Sequence, residues 1–189
     1  RDAMVFADQK HGRYLLYYTA TLADGRPCIA LASSQDLMAW EDLGPTYIEE
    51  DPSYNRCESA YVVEHAGKYY LFYSAKGGPQ SKVHSPASFA HFDIVYRVSN
   101  DPSGGWSKPA NHELLTQWTC ASEHPTFDGT TYMFYVIQEE VAGIWGASVL
   151  SDPKQVAWQA DGTVKIIEHV PDNVTRRTLF SQQSGFGGW

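Results

Sequence analysis

Short runs of apolar and aromatic residues, separated by polar turns, recur along most of the chain. The most regular run follows a turn glycine and occurs three times, as GRYLLYY from Gly12, GKYYLFY from Gly67 and GTTYMFY from Gly129. Glycine readily adopts the positive backbone angle of a tight turn, and aromatic residues favour strands. Each run therefore predicts a strand that leaves a hairpin turn.

Three further elements accompany each aromatic run. A short apolar strand precedes the glycine, and its copies are Met4-Val5-Phe6, Tyr61-Val62-Val63 and Thr126-Phe127. A third strand follows, over 28–33, 93–99 and 143–149. Each third strand is expected to end in a Ser-Asp turn, because short polar side chains satisfy turn backbone groups. The turns are Ser34-Gln35-Asp36, Ser99-Asn100-Asp101 and Ser151-Asp152-Pro153. A tryptophan then begins a predicted fourth strand, at Trp40, Trp106 and Trp158.

This repeat predicts an all-β fold, a β-propeller built from four-stranded antiparallel blades. Three blades are expected within 1–167, at about 1–48, 56–118 and 120–167, and 168–189 forms a C-terminal tail or begins a further blade. Three blades do not close a ring, since propellers have at least four. We expect the missing blades to come from sequence upstream of Arg1 or from another chain. A set of unrelated hairpins is the alternative.

Composition narrows the classes of partner. The 189 residues include 14 Lys+Arg against 22 Asp+Glu, for a formal net charge of -8, so a nucleic acid is a poor partner. The sequence contains no run of about eighteen apolar residues, so it predicts no membrane span, and the N-terminus shows no signal segment. The three cysteines match neither a zinc spacing nor a disulfide framework. A secreted or periplasmic location is expected in preference to a cytoplasmic one.

Acidic residues stand at the start of each inner strand of the predicted propeller. Asp2 precedes the first, Glu58 the second and Glu123 the third. Asp2 and Glu58 lie at nearly the same distance before their turn glycines, whereas Glu123 lies closer to its own. Converging carboxylates are what glycoside hydrolysis requires, one as acid and another as base or nucleophile. The alternative is that Asp2 and Glu58 form solvated ion pairs with neighbouring arginines.

Four other residues are candidates for substrate binding at the same mouth of the channel. They are Arg1, Tyr61, Trp118 and His124. Tyr61 and Trp118 could stack on sugar rings, with packing as the alternative. His124 could contact substrate or a cation, with a satisfied channel histidine as the alternative. No metal or other cofactor is expected to be required for glycoside hydrolysis, and a structural cation in the central channel is the alternative.

Several of these segments resemble the furanosidase superfamily of glycoside hydrolases. The similarity covers about 1–158 and is carried by Arg1-Asp2-Ala3-Met4-Val5-Phe6, by Ser34-Gln35-Asp36-Leu37-Met38-Ala39-Trp40, by Glu58-Ser59-Ala60-Tyr61 and by the strand that ends at Ser74. The superfamily comprises glycoside hydrolase families 43, 62, 32 and 68. The resemblance implies a five-bladed propeller with carboxylates on its axis.

The resemblance implies two assignments of the acids. On the pattern of family 32, Asp2 is the transition-state stabiliser and Glu58 the general acid, but Ala3 replaces the usual proline and Cys57 precedes the glutamate. On the pattern of family 43, which we prefer, Asp2 is the base and Glu58 or Glu123 the acid. The expected function is hydrolysis of a furanoside or related glycan, with an oligosaccharide or polysaccharide as substrate. A non-catalytic sugar-binding propeller and a protein-interaction platform are the alternatives.

Overall fold

In the computed structural model the described residues are 1–77, 92–116, 119–141 and 144–168, and they contain no helix. They form three antiparallel sheets, numbered here as blades 1 to 3. No helix in these ranges is long and apolar enough to cross a membrane. The prediction of an all-β fold made of antiparallel blades is therefore confirmed.

Blades 1 and 2 are four-stranded meanders. Blade 1 contains β1 (Met4–Asp8), β2 (Arg13–Thr21), β3 (Pro27–Ser34) and β4 (Glu41–Ile48), in that spatial order. Blade 2 contains β5 (Tyr54–His65), β6 (Lys68–Gly77), β7 (Phe92–Ser99) and β8 (Glu113–Leu115), again in chain order. The Ser-Asp turns that end β3 and β7 form as expected. In the first, the Asp36 carboxylate accepts the backbone N–H groups of Met38 and Ala39 at 2.8 and 2.9 Å.

Blade 3 uses interrupted strands. It contains β9 (Thr119–Glu123), β10 (Thr126–Phe127), β11 (Thr130–Val141), β12 (Ile144–Leu150), β13 (Lys154–Trp158) and β14 (Val164–Glu168). The short strands β9 and β10 both pair with β11 on one edge, and β12 and β13 both pair with it on the other. Strand β14 pairs with β13. Blade 3 is thus a four-stranded meander whose first and third strands are each broken once.

The predicted position of the last turn is wrong. Ser151 stays in contact with β11, since its backbone N–H donates to the carbonyl of Tyr135 at 2.8 Å and its hydroxyl accepts the Tyr135 N–H at 3.1 Å. Trp158 consequently ends the third strand and does not begin the fourth. The turn is made by Asp161-Gly162, where Gly162 has a φ of +81° and the Asp161 carboxylate accepts the Thr163 N–H at 2.9 Å. An Asp-Gly pair is the stronger turn signal, because its glycine readily takes the positive φ.

Blade 2 is buried on both faces because alternate residues of a strand point to opposite sides of the sheet. From β6, Tyr69, Leu71 and Tyr73 pack in a core cluster against blade 1, and Tyr70 and Phe72 pack in a second cluster against blade 3. The aromatic run of β6 is therefore uninterrupted because both faces of the strand are buried. The sheets stack face to face as propeller blades do.

Among the described residues, no sheet packs on the outer face of blade 1. Val5 is 46% exposed, whereas Val62, at the same position of blade 2, is 2% exposed in the cluster against blade 1. On the opposite side of the molecule, Phe127 and Leu150 of blade 3 are also largely exposed. Both end faces thus carry apolar residues like those of the faces buried between blades.

Candidate active site

Each inner strand carries an irregularity at the same place. In β5, Glu58 lies opposite Ser74 and Tyr61 lies opposite Phe72, so three residues span the distance of two on β6. In blade 3, Cys120 lies opposite Val136 and Glu123 opposite Phe134, with the same offset. In blade 1, the carbonyl of Arg1 accepts the Thr19 N–H at 2.9 Å, and Met4 pairs with Tyr17. Bulges of this kind bend a strand and redirect its side chains.

The bulges place a residue with left-handed backbone in every blade. Asp2, Ser59 and Ala121 have φ values of +57°, +53° and +51°. For a residue other than glycine this conformation costs roughly 1–2 kcal/mol. The strain recurs three times at the same end of the inner strand, which is the end where the candidate acids lie. Strain of this sort persists where the surrounding structure holds a functional geometry.

The bulges also correct the predicted alignment of the acids. Three sets of residues share positions in the three blades: Arg1, Glu58 and Cys120; Asp2, Ser59 and Ala121; and Met4, Tyr61 and Glu123. Asp2, Glu58 and Glu123 therefore stand at three different positions. The prediction counted back from the turn glycine, but the first hairpin closes between Asp8 and Arg13 and the second between His65 and Lys68. The longer first turn shifts the count.

Asp2 and Glu58 nevertheless meet around one guanidinium group. Arg1 Nη2 forms an ion pair with Glu58 Oε1, and Arg1 Nε lies 3.7 Å from Asp2 Oδ2. Arg56 Nη1 approaches the same Glu58 oxygen at 3.3 Å. Glu58 is 14% exposed, so solvent reaches a carboxylate that two cations flank. The structure thus brings Arg1, Asp2 and Glu58 together. It also contains ion pairs of Asp2 and Glu58 with neighbouring arginines, which were the alternative to a catalytic role.

Two hydroxyl groups support this end of the site. The Thr19 hydroxyl donates to Asp2 Oδ2 at 3.1 Å, and the Ser74 hydroxyl accepts the Ala121 N–H at 2.8 Å, which ties the bulge of blade 3 to blade 2. Sequence reasoning missed both residues. A signal was present, because a hydroxyl residue follows the aromatic pair in Tyr17-Tyr18-Thr19 and in Phe72-Tyr73-Ser74.

Glu123 lies apart from the ion-paired group. Its position matches those of Met4 and Tyr61, whose side chains pack towards the following blade. Glu123 is exposed on blade 3, and its charge adds to burial in raising the pKa of the Tyr61 phenol. Tyr61 is half-buried and packs in the cluster between blades 2 and 3. Trp118 lies outside the described residues.

His124 is a core residue. It is 2% exposed, its ring stacks on Phe72 with centroids 3.8 Å apart, and its Nε2 lies 3.1 Å from the Ser122 hydroxyl. Its Nδ1 is buried without a hydrogen-bond partner among the described residues. Burial lowers the pKa of His124 to about 3, so the ring is neutral in the folded protein. The ring has no surface left with which to contact a substrate.

The burial of His124 makes a prediction about pH. An unfolded histidine has a pKa near 6.5, so below that pH the unfolded state binds a proton that the folded state does not bind. The free energy of unfolding therefore falls as the pH drops towards 3. Between pH 7 and pH 5 this group should remove about 2 kcal/mol from the free energy of unfolding.

Urea denaturation at both pH values, for the wild type and for His124→Phe, measures that contribution. The other titrating groups act alike in both proteins, so the stability difference between the two should change with pH by the stated amount. An identical difference at pH 7 and pH 5 would show that His124 is free to ionise in the folded state.

Metal binding receives no support from the described residues. Within 1–77, 92–116, 119–141 and 144–168, no three His, Cys, Asp or Glu side chains are grouped so that they could hold an ion. Cys28 and Cys57 are buried free thiols, and Cys120 is partly exposed.

An open cleft of about 500 Å³ lies beside the two acids. Its walls come from Arg1, from 19–21 at the end of β2, and from Arg56. Clefts of roughly 300–1,000 Å³ accommodate small ligands. Stacked four-stranded blades with carboxylates at the inner strand ends and an open cleft beside them define the class of β-propeller glycosidases.

Comparison with known proteins agrees with this class. The model of the family "Glycosyl hydrolases family 43" matches residues 2–168, and the chain belongs to that family. Among curated proteins no significant match was found.

Solved structures show the same fold. A xylan β-1,4-xylosidase from Bacillus halodurans superposes with a TM-score of 0.67 at 19% identity, covering 88% of this chain and 33% of the other. A family 32 β-fructofuranosidase from Bombyx mori gives 0.67 at 15% identity, with 88% and 36% covered. An α-L-arabinofuranosidase from Clostridium thermocellum gives 0.55 at 17% identity, with 88% and 52% covered. This chain thus spans from one third to about half of these proteins.

Proposed function

We propose that the complete protein is a glycoside hydrolase that cleaves a furanoside or related glycan, with Glu58 as the general acid and Asp2 as the base. The observation that carries the proposal is the meeting of Asp2 and Glu58 around Arg1, beside an open cleft, in a chain of family 43. Hydrolysis needs one carboxyl group to protonate the leaving oxygen and a second to activate water or attack the sugar.

The arginines define a resting state of the acid. Two guanidinium groups against one oxygen of Glu58 favour its ionised form, whereas a general acid must carry a proton. A sugar that enters the cleft and displaces Arg1 from Glu58 removes one cationic partner and excludes water from the carboxyl group. Both changes favour the protonated form, so substrate binding itself prepares Glu58 to donate.

Asp2 is suited to the complementary task. Its Oδ2 accepts the Thr19 hydroxyl and faces Arg1, and its side chain keeps 31% of its surface exposed. A fixed but accessible carboxylate can accept a proton from an incoming water molecule. The strained backbone at Asp2 sets the direction of this side chain relative to Glu58.

The relatives support the substrate class. The similar structures include those of a xylosidase, a fructofuranosidase and an arabinofuranosidase. We propose further that additional blades cover the exposed end faces of blades 1 and 3 and close the ring, that no cofactor is required and that the protein is secreted or periplasmic.

The direct test is turnover by the complete protein of nitrophenyl arabinofuranoside, xyloside and fructoside donors. Hydrolysis of at least one donor, with sugar release confirmed by chromatography, is the expected result. Absence of turnover on all three and on arabinan, xylan and fructan would overturn the proposal.

A non-catalytic sugar-binding propeller is the second candidate. The observation in its favour is that both acids are already ion-paired with arginines. This candidate predicts that calorimetry detects glycan binding by the wild type while no donor is cleaved. The meeting of the two acids argues against a protein-interaction platform, for which no convergence was expected.

A further inference from the structure

Three clefts lie in sequence along the junction of blades 1 and 2. The axial cleft, bounded by Arg1, 19–21 and Arg56, is the one beside Glu58. A middle cleft of about 500 Å³ is lined by 24–27 of the β2–β3 turn and by 49–52, Tyr54 and Asn55 of the crossover to blade 2. Asn55 of the middle cleft precedes Arg56 of the axial one along the chain. The two clefts are therefore neighbours.

An outer cleft of about 570 Å³ continues the series. It is lined by 45–51, Arg97, Gly105, Trp106 and Lys108. The middle and outer clefts share Glu49, Glu50 and Asp51 as a common wall. Strands in a sheet lie about 4.8 Å apart, so the outermost strand of a four-stranded blade is roughly 14 Å from the innermost one. The three clefts thus lead from the axial acids to the rim of the blades.

The outer cleft is preorganised by contacts between the blades. The loop that carries Trp106 is fastened to blade 1, since the Tyr17 hydroxyl donates to the Pro102 carbonyl at 2.6 Å and the Thr46 hydroxyl donates to the Ser103 carbonyl at 2.8 Å. The Trp106 indole N–H donates to the Thr46 hydroxyl at 2.9 Å. The ring is therefore held in one orientation and remains half-buried in the wall of the cleft.

The charges along the middle and outer clefts nearly compensate one another, since Asp24, Glu49 and Asp51 each pair with a cation and Glu50 adds one exposed negative charge. Arg26 pairs with Asp24 at 2.9 Å in the middle cleft, and Lys108 approaches Asp51 at 3.6 Å in the outer one. Such a surface does not select an ion of either sign, but its planar carboxylate and guanidinium groups can exchange hydrogen bonds with hydroxyl groups. A fixed indole adds an apolar face. The ligand class that matches this combination is a neutral polyhydroxylated chain.

We infer that the outer cleft is a distal glycan-binding site, with Trp106 as its anchor, and that the substrate is a polysaccharide whose chain runs along the blade 1 and blade 2 junction from Glu58 to the rim. This inference rests on the proposed function for the direction of the chain, but the distal site binds glycan whether or not the acids cleave it. A longer oligosaccharide then gains affinity by reaching Trp106.

The test measures how affinity depends on chain length. Calorimetry on the complete protein with short and long xylo-oligosaccharides and arabino-oligosaccharides should show tighter binding of the long members. Trp106→Ala should reduce that gain about tenfold, the equivalent of one aromatic stacking contact. Trp40→Ala is the matched control, since Trp40 follows the same Ser-Asp turn in blade 1 but lines a different cleft. It should keep the full gain.

Trp106 also packs against the core between blades 1 and 2, so its removal could unfold the protein. If it does, the double variant Glu50→Ala/Lys108→Ala, which changes two exposed residues of the outer cleft, must show the reduced gain of affinity with chain length instead. If the increase in affinity from short to long oligosaccharides is the same in the wild type and in a folded variant, the inference is overturned. Turnover of aryl glycosides by the wild type separates the two proposals. If affinity rises with chain length but no aryl glycoside is cleaved, the distal site is upheld and catalysis is refuted. If aryl glycosides are cleaved but affinity does not rise with chain length, only the distal site is refuted.

Discussion

Glu58→Gln should lower kcat on glycoside donors by roughly 10²- to 10⁴-fold, the usual contribution of a general acid. The amide has the same shape as the carboxyl group and its oxygen can still accept hydrogen bonds from Arg1 and Arg56, but it has no acidic proton to transfer to a leaving oxygen. The measurement is steady-state hydrolysis by the complete protein, with thermal unfolding to confirm that the variant folds.

The leaving group distinguishes the acid from other roles. If Glu58 donates the proton, the loss should be large for a natural glycan, whose leaving group needs protonation, and small for an activated dinitrophenyl donor. A loss that is the same for both would assign Glu58 to another step. Glu64→Gln is the matched control, because Glu64 lies on the same strand with an exposed side chain and should leave turnover intact. Full activity of Glu58→Gln would remove Glu58 from the mechanism.

Arg97→Met should lower the free energy of unfolding by about 3–5 kcal/mol, as expected when one partner of a buried ion pair is removed. Arg97 on β7 and Glu49 in the crossover are 1% and 2% exposed, and their charged groups lie 3.2 Å apart. The Arg97 guanidinium also lies over the rings of Tyr47 and Tyr73. Burial raises the pKa of Tyr73 well above its ordinary value, so its phenol stays a donor to Glu49.

The expected loss of stability arises because the Glu49 carboxylate stays buried without its cationic partner, and not from the missing contact alone. The double variant Arg97→Met/Glu49→Gln should therefore recover part of the stability, since neither charge then remains buried. Denaturant unfolding with a common m-value measures both variants. Arg26→Met is the control, because its exposed pair with Asp24 should contribute nothing measurable. A loss in Arg97→Met no larger than in this control would mean that the buried pair does not hold blades 1 and 2 together.

The meander order of the blades was predictable because it depends on local periodicity. The strands around Gly12, Gly67 and Gly129 form where the aromatic runs place them, and the Ser-Asp turns form after β3 and β7. Blade 3 was misassigned because Ser151-Asp152-Pro153 has the composition of a turn while its serine remains hydrogen-bonded to Tyr135. Pairing with β11 outweighed the local preference.

The candidate site was predictable in part. Asp2 and Glu58 were identified from their positions before apolar strands, and they do meet around Arg1. Their alignment was not predictable, because a bulge without a glycine leaves no mark in the sequence: Asp2, Ser59 and Ala121 share a left-handed backbone although their side chains have nothing in common. The burial of His124 likewise depends on Phe72 of the neighbouring blade.

The amino-acid sequence by itself determined the class of fold, the number of sheets and the residue types at the inner strand ends, because these follow from hydrophobic alternation and turn chemistry within each repeat. The tertiary structure decided which acids converge, which histidine is buried and how the clefts join blade 1 to blade 2. Those features depend on contacts between blades, where residues far apart in the chain meet, and no local pattern encodes the offset of one sheet against the next.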